Sequence, residues 1–184
     1  MRRFLFPGLA LAVAVALLSL LAFGVSSQGE NTSIDSQIAH GTRPPVPDSG
    51  TRLPILGSSQ SESLRDFRGR VVVLNLFASW CQPCVAEAGI LEQEQRKLVH
   101  HNATVLGVTY QDNSSDSETF VRQNHVTYPV VRDVSGSFSH SFGANGIPET
   151  FVIDRHGDVA AVRRYQLNDT WLARVLPRIL AERS

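Results

Sequence analysis

Three features of the 184-residue sequence predict a three-layer α/β/α sandwich with a mixed central sheet. Val71–Phe77 is an apolar run with the length and continuity of a central strand covered on both faces. It leads directly into a segment of helical spacing that opens around Gln82. Near the other end, Thr150–Asp154 and Val159–Tyr165 read as two strands turning at Arg155–Asp158, which contains Gly157, with a helix following from Asn168 to about Ala181. A strand–helix–strand start joined to a hairpin-plus-helix finish calls for parallel and antiparallel neighbours in one sheet.

Taken in order, the chain opens with Arg2 and Arg3 ahead of an apolar run from Phe4 to Val25, and no charge follows until Glu30. As a helix, Phe4–Phe23 would be about 30 Å long, enough to cross the hydrocarbon of a bilayer. Residues 1–25 therefore read as a membrane anchor or a signal segment. Basic residues before the run and none directly after it orient the rest of the chain away from the cytoplasm. Ala22-Phe23-Gly24 also offers a small-x-small cleavage site, so a retained anchor and a removed signal both stand. Either one exports the remainder of the chain. Residues 26–46 are rich in Ser, Thr, Gly and Pro and read as a flexible linker, leaving residues 47–184 as one domain.

Within that domain, Leu53–Leu56 reads as an edge strand and Gly57–Ser63 as a turn. The helix from Gln82 admits Pro83 in its first turn, where no donor is lost. Ala88, Leu91, Gln95 and Leu98 mark its inner stripe, with Glu92, Glu94, Arg96 and Lys97 on the wet face. Thr104–Tyr110 is the next strand, Asp116–Asn124 a helix, Val130–Arg132 a short strand and Gly136–Phe142 a short helix. In the last helix Leu172, Val175, Leu176 and Ile179 face inward.

Seventeen basic and 17 acidic side chains cancel, so no long-range field favours a nucleic acid or an acidic polymer. The chain has two cysteines, Cys81 and Cys84, separated by two residues. A disulfide scaffold needs bridges between distant positions, and a four-ligand zinc site needs two more ligands. His100 and His101 supply imidazoles but no second clustered motif. No metal and no organic cofactor is expected, and the pair reads as reactive rather than structural.

A strand running into Trp80-Cys81-Gln82-Pro83-Cys84 and then a helix places Cys81 at the positive end of the helix, facing unused backbone N–H groups. A thiolate there is stabilised and its pKa falls. Cys81 would attack a partner's disulfide, and Cys84, one turn on and more buried, would resolve the mixed disulfide. Trp80 is expected to shield and pack the site. Ile147-Pro148-Glu149-Thr150 is the second constellation. A cis bond at Pro148 would bring backbone groups beside Cys81, ready to pair with an extended substrate, whereas a trans proline would merely open the strand. Glu87 lies one turn beyond Cys84. Buried there, its carboxyl would have a raised pKa and could take the resolving thiol's proton. Exposed, it would be an ordinary helix carboxylate.

Residues 71–87 (VVVLNLFASWCQPCVAE), with their lead-in at residues 64–70 (LRDFRGR), resemble the thioredoxin-like, exported, membrane-anchored disulfide reductases, including those of cytochrome c maturation. Residues 146–154 (GIPETFVID) resemble the cis-proline segment of that family, and the likeness extends from about Pro47 to Ala181. The resemblance implies a thioredoxin-like fold, Cys81 as attacking thiol, Cys84 as resolving thiol, Glu87 as the active-site glutamate and Pro148 as the cis proline. Trp80 and Ile147 are assigned to substrate contact. It also implies a single-pass protein of the bacterial cytoplasmic membrane with its catalytic domain outside, or a secreted domain if the signal is removed. Its expected partners are oxidised exported proteins such as apocytochrome c and a membrane thiol electron donor, and the chain is expected to be a monomer. Asn75 stands where ordinary thioredoxins carry a buried aspartate. A neutral amide accepts no such proton, which leaves that task to Glu87. Phe77 stands where the family often has tryptophan. The same motif also serves disulfide formation or isomerisation, since direction follows reduction potential. A non-enzymatic haem or metal chaperone is the remaining alternative.

Overall fold

The computed structural model describes residues 33–182, together with Val15, Leu17 and Ser19. Apart from those three positions, the expected anchor or signal segment and the first part of the expected linker lie outside the described residues. Among the described residues no helix is long and apolar enough to cross a membrane.

The sheet has seven-residue β3 (Val71–Phe77) at its centre. The parallel neighbour β4 (Ala103–Tyr110) lies on one side, followed by β5 (Val130–Asp133), also parallel. On the other side β6 (Glu149–Ile153) runs antiparallel to β3, and β7 (Val159–Arg163) antiparallel to β6. The order β5-β4-β3-β6-β7 is the mixed sheet the sequence predicts. A separate two-stranded ladder pairs β1 (Leu53–Pro54) with β2 (Ser61–Glu62). The expected single strand at 53–56 is thus one arm of a small hairpin, whose Ile55 bridges to Val131 at the sheet edge.

Alternation along β3 divides the core. Val71, Val73 and Phe77 face α2 (Gln82–Leu98), the nearby α3 (Ser114–Gln123) and α5 (Asp169–Ala181). Val72, Leu74 and Leu76 face the layer containing α1 (Ser33–Ala39), the turn at Leu64–Phe67 and α4 (Ser137–Ser141). All seven residues of β3 are buried, as a continuous apolar run requires of a doubly covered strand. Ala88, Leu91, Gln95 and Leu98 form the inner stripe of α2 as expected, and Leu172, Leu176 and Ile179 that of α5. Val175 is only half-buried.

Two expectations need correction. Glu92 belongs to no wet face. It is buried and accepts hydrogen bonds from the backbone N (2.9 Å) and the Oγ1 (3.0 Å) of Thr127, which hold the chain after α3 to α2. The packed unit also starts at Ile34, ahead of the point where the sequence reading ends the linker. Ile34 and Val46 are buried, Val46 N donates to Gly157 O and Val159 N to Pro44 O, and Arg43 bonds Asp154 (2.9 Å) and Glu182 (2.6 Å). A polar, proline-containing composition gives way here to two buried apolar anchors and an ion pair across the domain.

Candidate active site

The parallel strands β3, β4 and β5 end, β6 begins and β7 ends at one edge of the sheet. Beyond β3 the chain turns through Ala78-Ser79-Trp80 into Cys81, the N-cap of α2. Cys81 and Cys84 form a disulfide with Cα atoms 5.3 Å apart. The Cys84 backbone N–H points at Cys81 Sγ from 3.3 Å, and Pro83 sits in the first turn. That amide and the helix terminus are ready to hold a thiolate on Cys81 once the bridge opens. Both cysteines are buried, Cys81 slightly less so.

One turn on, Glu87 is 1% exposed. Its Oε2 accepts from Asn75 Nδ2 at 3.2 Å, and its Oε1 from the backbone N of Leu167. Asn75 also donates to Thr150 Oγ1 at 3.0 Å. Burial pushes the Glu87 carboxyl up from 4.5 to about 7; the Leu167 amide, the Asn75 amide and Arg163 oppose the rise without cancelling it. The group is therefore poised near neutrality, where a carboxylate is a useful proton acceptor.

Ile147–Pro148 is a cis peptide. Glu149, the next residue, pairs with Leu76, so Pro148 lies at the end of the sheet from which β3 runs on toward Cys81. Ile147 is half-buried and packs against the core cluster that contains both cysteines. Burial raises the Glu149 carboxyl pKa, while the neighbouring Arg164 guanidinium pulls it back. Trp80 differs from expectation. At 63% exposed it is largely open to solvent at the position next to Cys81. Val85, Val134 and Tyr165 are exposed at the same end of the sheet, with Tyr165 at 76%.

Sequence reasoning missed Asp112 as a structural anchor of this end. Buried, it accepts from Ser79 N (2.8 Å), Ser79 Oγ (2.9 Å), Asn113 N (2.9 Å) and Ser117 Oγ (2.8 Å). It thus holds the residue two places before Cys81. Its only signal in the sequence was a polar turn after an apolar strand. Phe77 packs tilted on Phe120, ring centroids 4.9 Å apart, filling the position as a core aromatic. Among the described residues no group of three or more His, Cys, Asp or Glu side chains is arranged to hold a metal.

Fold and site together define a thiol–disulfide oxidoreductase of the thioredoxin fold, whose redox centre is the Cys81–Cys84 bridge. The AhpC/TSA family model matches residues 49–162. The chain is 32% identical over 112 residues to the thiol:disulfide interchange protein DsbE of Pasteurella multocida, covering 60% of each chain. It is 30% identical over 159 residues to DsbE of Haemophilus influenzae, covering 85% of this chain and 83% of that one. A DsbF homologue from Corynebacterium diphtheriae superposes with a TM-score of 0.67 at 30% identity, over 75% of this chain and 88% of that one. The chain belongs to the AhpC/TSA family and, within it, is of the DsbE type. It spans little more than half the length of several of the curated relatives it matches, 60% for the Pasteurella protein.

Proposed function

We propose that this protein is a protein-disulfide reductase acting on exported clients such as apocytochrome c, held at the outer face of the cytoplasmic membrane by residues 1–25. The observation that carries the reading is the stacking of three chemical roles along one helix. Cys81 caps α2, Cys84 lies one turn in, and the carboxyl of Glu87, poised near neutrality, is buried one turn further.

The steps balance on these residues. The Cys81 thiolate attacks a client disulfide, forms a mixed disulfide and releases one client thiolate. Glu87 takes the proton from the Cys84 thiol. The Cys84 thiolate then attacks Cys81 Sγ and frees the second client sulfur. Two electrons have passed to the client, and the protein is left with the Cys81–Cys84 bridge. A membrane-bound dithiol donor returns it to the reduced form. The Ile147–Pro148 segment offers backbone groups to an extended client chain, and the exposed Trp80 and Tyr165 give its apolar residues a surface.

The test is the reduction potential of the pair in the full chain, by equilibration with glutathione and dithiothreitol. A value between about −270 and about −180 mV supports reduction of clients, whereas one near about −120 mV overturns that direction in favour of disulfide formation. Replacing Cys84 with Ser should trap the client on Cys81, and failure to form that mixed disulfide would refute the exchange mechanism itself.

A further inference from the structure

Arg164 follows β7 at the disulfide end of the sheet and holds two acidic side chains at once. Its Nη1 donates to Glu149 Oε2 at 2.6 Å. Its Nη2 and Nε donate to Asp35 Oδ2 at 2.6 and 3.1 Å, and Nε also reaches Asp35 Oδ1 at 3.3 Å. The same guanidinium donates to the backbone carbonyls of Phe142 (3.2 Å) and Gly143 (3.3 Å) and lies over the Phe151 ring, 5.0 Å from its centroid. Glu149 completes the set, its Oε1 accepting from Asn145 N at 3.2 Å. Three backbone groups of the stretch 142–145, which leads into Ile147 and Pro148, are thus fastened to one ion triplet. Asp35 lies in α1, on the segment that precedes the expected domain, more than one hundred residues away in sequence.

We propose that the Asp35–Arg164–Glu149 triplet positions the Ile147–Pro148 loop, so that α1 is a working part of the client site and not a spacer. The inference rests on the reading that clients pair with this loop. Glu149 is 3% exposed and Arg164 largely covered, so that pair is held where water competes little, while the Asp35 side chain is 40% exposed. Asp35 orients the guanidinium fork from the outside. Without its charge, Nε loses its carboxylate and Nη2 keeps only the Phe142 carbonyl at 3.2 Å, so the fork is held less firmly against the carbonyls of Phe142 and Gly143. Only an arginine fits, because a lysine has a point charge and no planar fork to reach all these acceptors together. Arg164 and Glu149 are positioning residues, and so is Asp35 acting through them.

Truncating Arg164 would strand the buried Glu149 charge and endanger the fold, so the primary variant is Asp35→Asn in the full-length chain. Its turnover is measured on an oxidised Cys-Ala-Ala-Cys-His peptide and, separately, on 5,5′-dithiobis(2-nitrobenzoate), which needs no strand-like docking. The peptide KM should rise about tenfold with kcat within about twofold, a displacement effect on docking rather than chemistry. The rate with the small disulfide and the reduction potential should stay unchanged. Asp35→Glu should restore most of the peptide KM, whereas Arg164→Lys should not. An unchanged peptide KM in Asp35→Asn overturns the proposal while leaving the reductase reading intact, and so does an equal loss on both substrates. A wild-type chain that does not reduce the peptide overturns both.

Discussion

Asn75 Nδ2 donates to Glu87 Oε2 across 3.2 Å, tying the central strand to the helix that carries both cysteines. A neutral donor in this place steadies the carboxylate without supplying a counter-charge. Burial still dominates, and the Glu87 carboxyl stays at about 7.

That value sets a pH dependence of stability. The folded state binds the Glu87 proton more tightly than the unfolded chain, whose carboxyl titrates near 4.5. The contribution is therefore fully present below about pH 4.5 and is lost as pH rises through about 7, on the order of 3 kcal/mol in all. Glu87→Gln should remove this slope. Urea melts of the oxidised protein at about pH 4.5 and about pH 8 should show the variant gaining on the wild type only at the higher pH. An unchanged slope would mean that Glu87 is not the titrating group.

The same substitution should alter turnover. With Glu87 as acceptor for the Cys84 proton, client reduction should rise with pH through about 7. In Glu87→Gln that limb should vanish and the rate at neutral pH fall by about a hundredfold. Stopped-flow resolution of the mixed disulfide is the direct readout.

Asn75→Asp sets a second carboxyl against Glu87. Like charges this close cannot both ionise cheaply, so the pair should titrate in two separated steps, the upper one above that of wild-type Glu87. Carboxyl carbon NMR shifts followed against pH would reveal the split, and a single step near 7 would rule it out.

Asp112→Ala strips the partners from Ser79 N, Ser79 Oγ and Ser117 Oγ. Losing a buried charged acceptor should destabilise the fold by about 3 kcal/mol and slow attack by Cys81, whose approach loop it holds. Denaturant melts and the rate with a small disulfide check the two halves separately.

Tyr165→Ala should do the opposite. At 76% exposed the side chain packs on little, and stability should move by less than about 0.5 kcal/mol. The KM for an apolar client peptide should rise about fivefold, read against an unchanged rate with the small disulfide.

Local signals made much of this legible before the structure. The seven apolar residues of β3, the hairpin around Gly157 and the inner stripes of α2 and α5 each follow from spacing over a few turns or one strand. The cysteine pair and the burial of Glu87 beneath it were also readable, because all three lie along one helix. What escaped notice depends on distant partners. Asp112 meets Ser79 across 33 positions and Arg164 meets Asp35 across 129, and no window of sequence contains either pair. Glu92 looked like a surface carboxylate until Thr127 closed over it. In α1 the signal was present but faint: Ile34 and Ile38 share one helical face within a polar stretch, and only the sheet edge gives that face something to cover.

The register of β3 against β6 puts Asn75 opposite Thr150, and β7 must be in place before Leu167 can reach Glu87. The groups around the Glu87 carboxyl thus come from segments up to 80 residues away from it. A chain whose sheet is not yet complete has both sulfurs but none of that company. It is then an ordinary dithiol with an ordinary acid nearby. A Glu87 carboxyl poised at about 7 arrives only with the finished sheet, so an unfolded or misfolded copy keeps just the plain exchange chemistry of two free thiols.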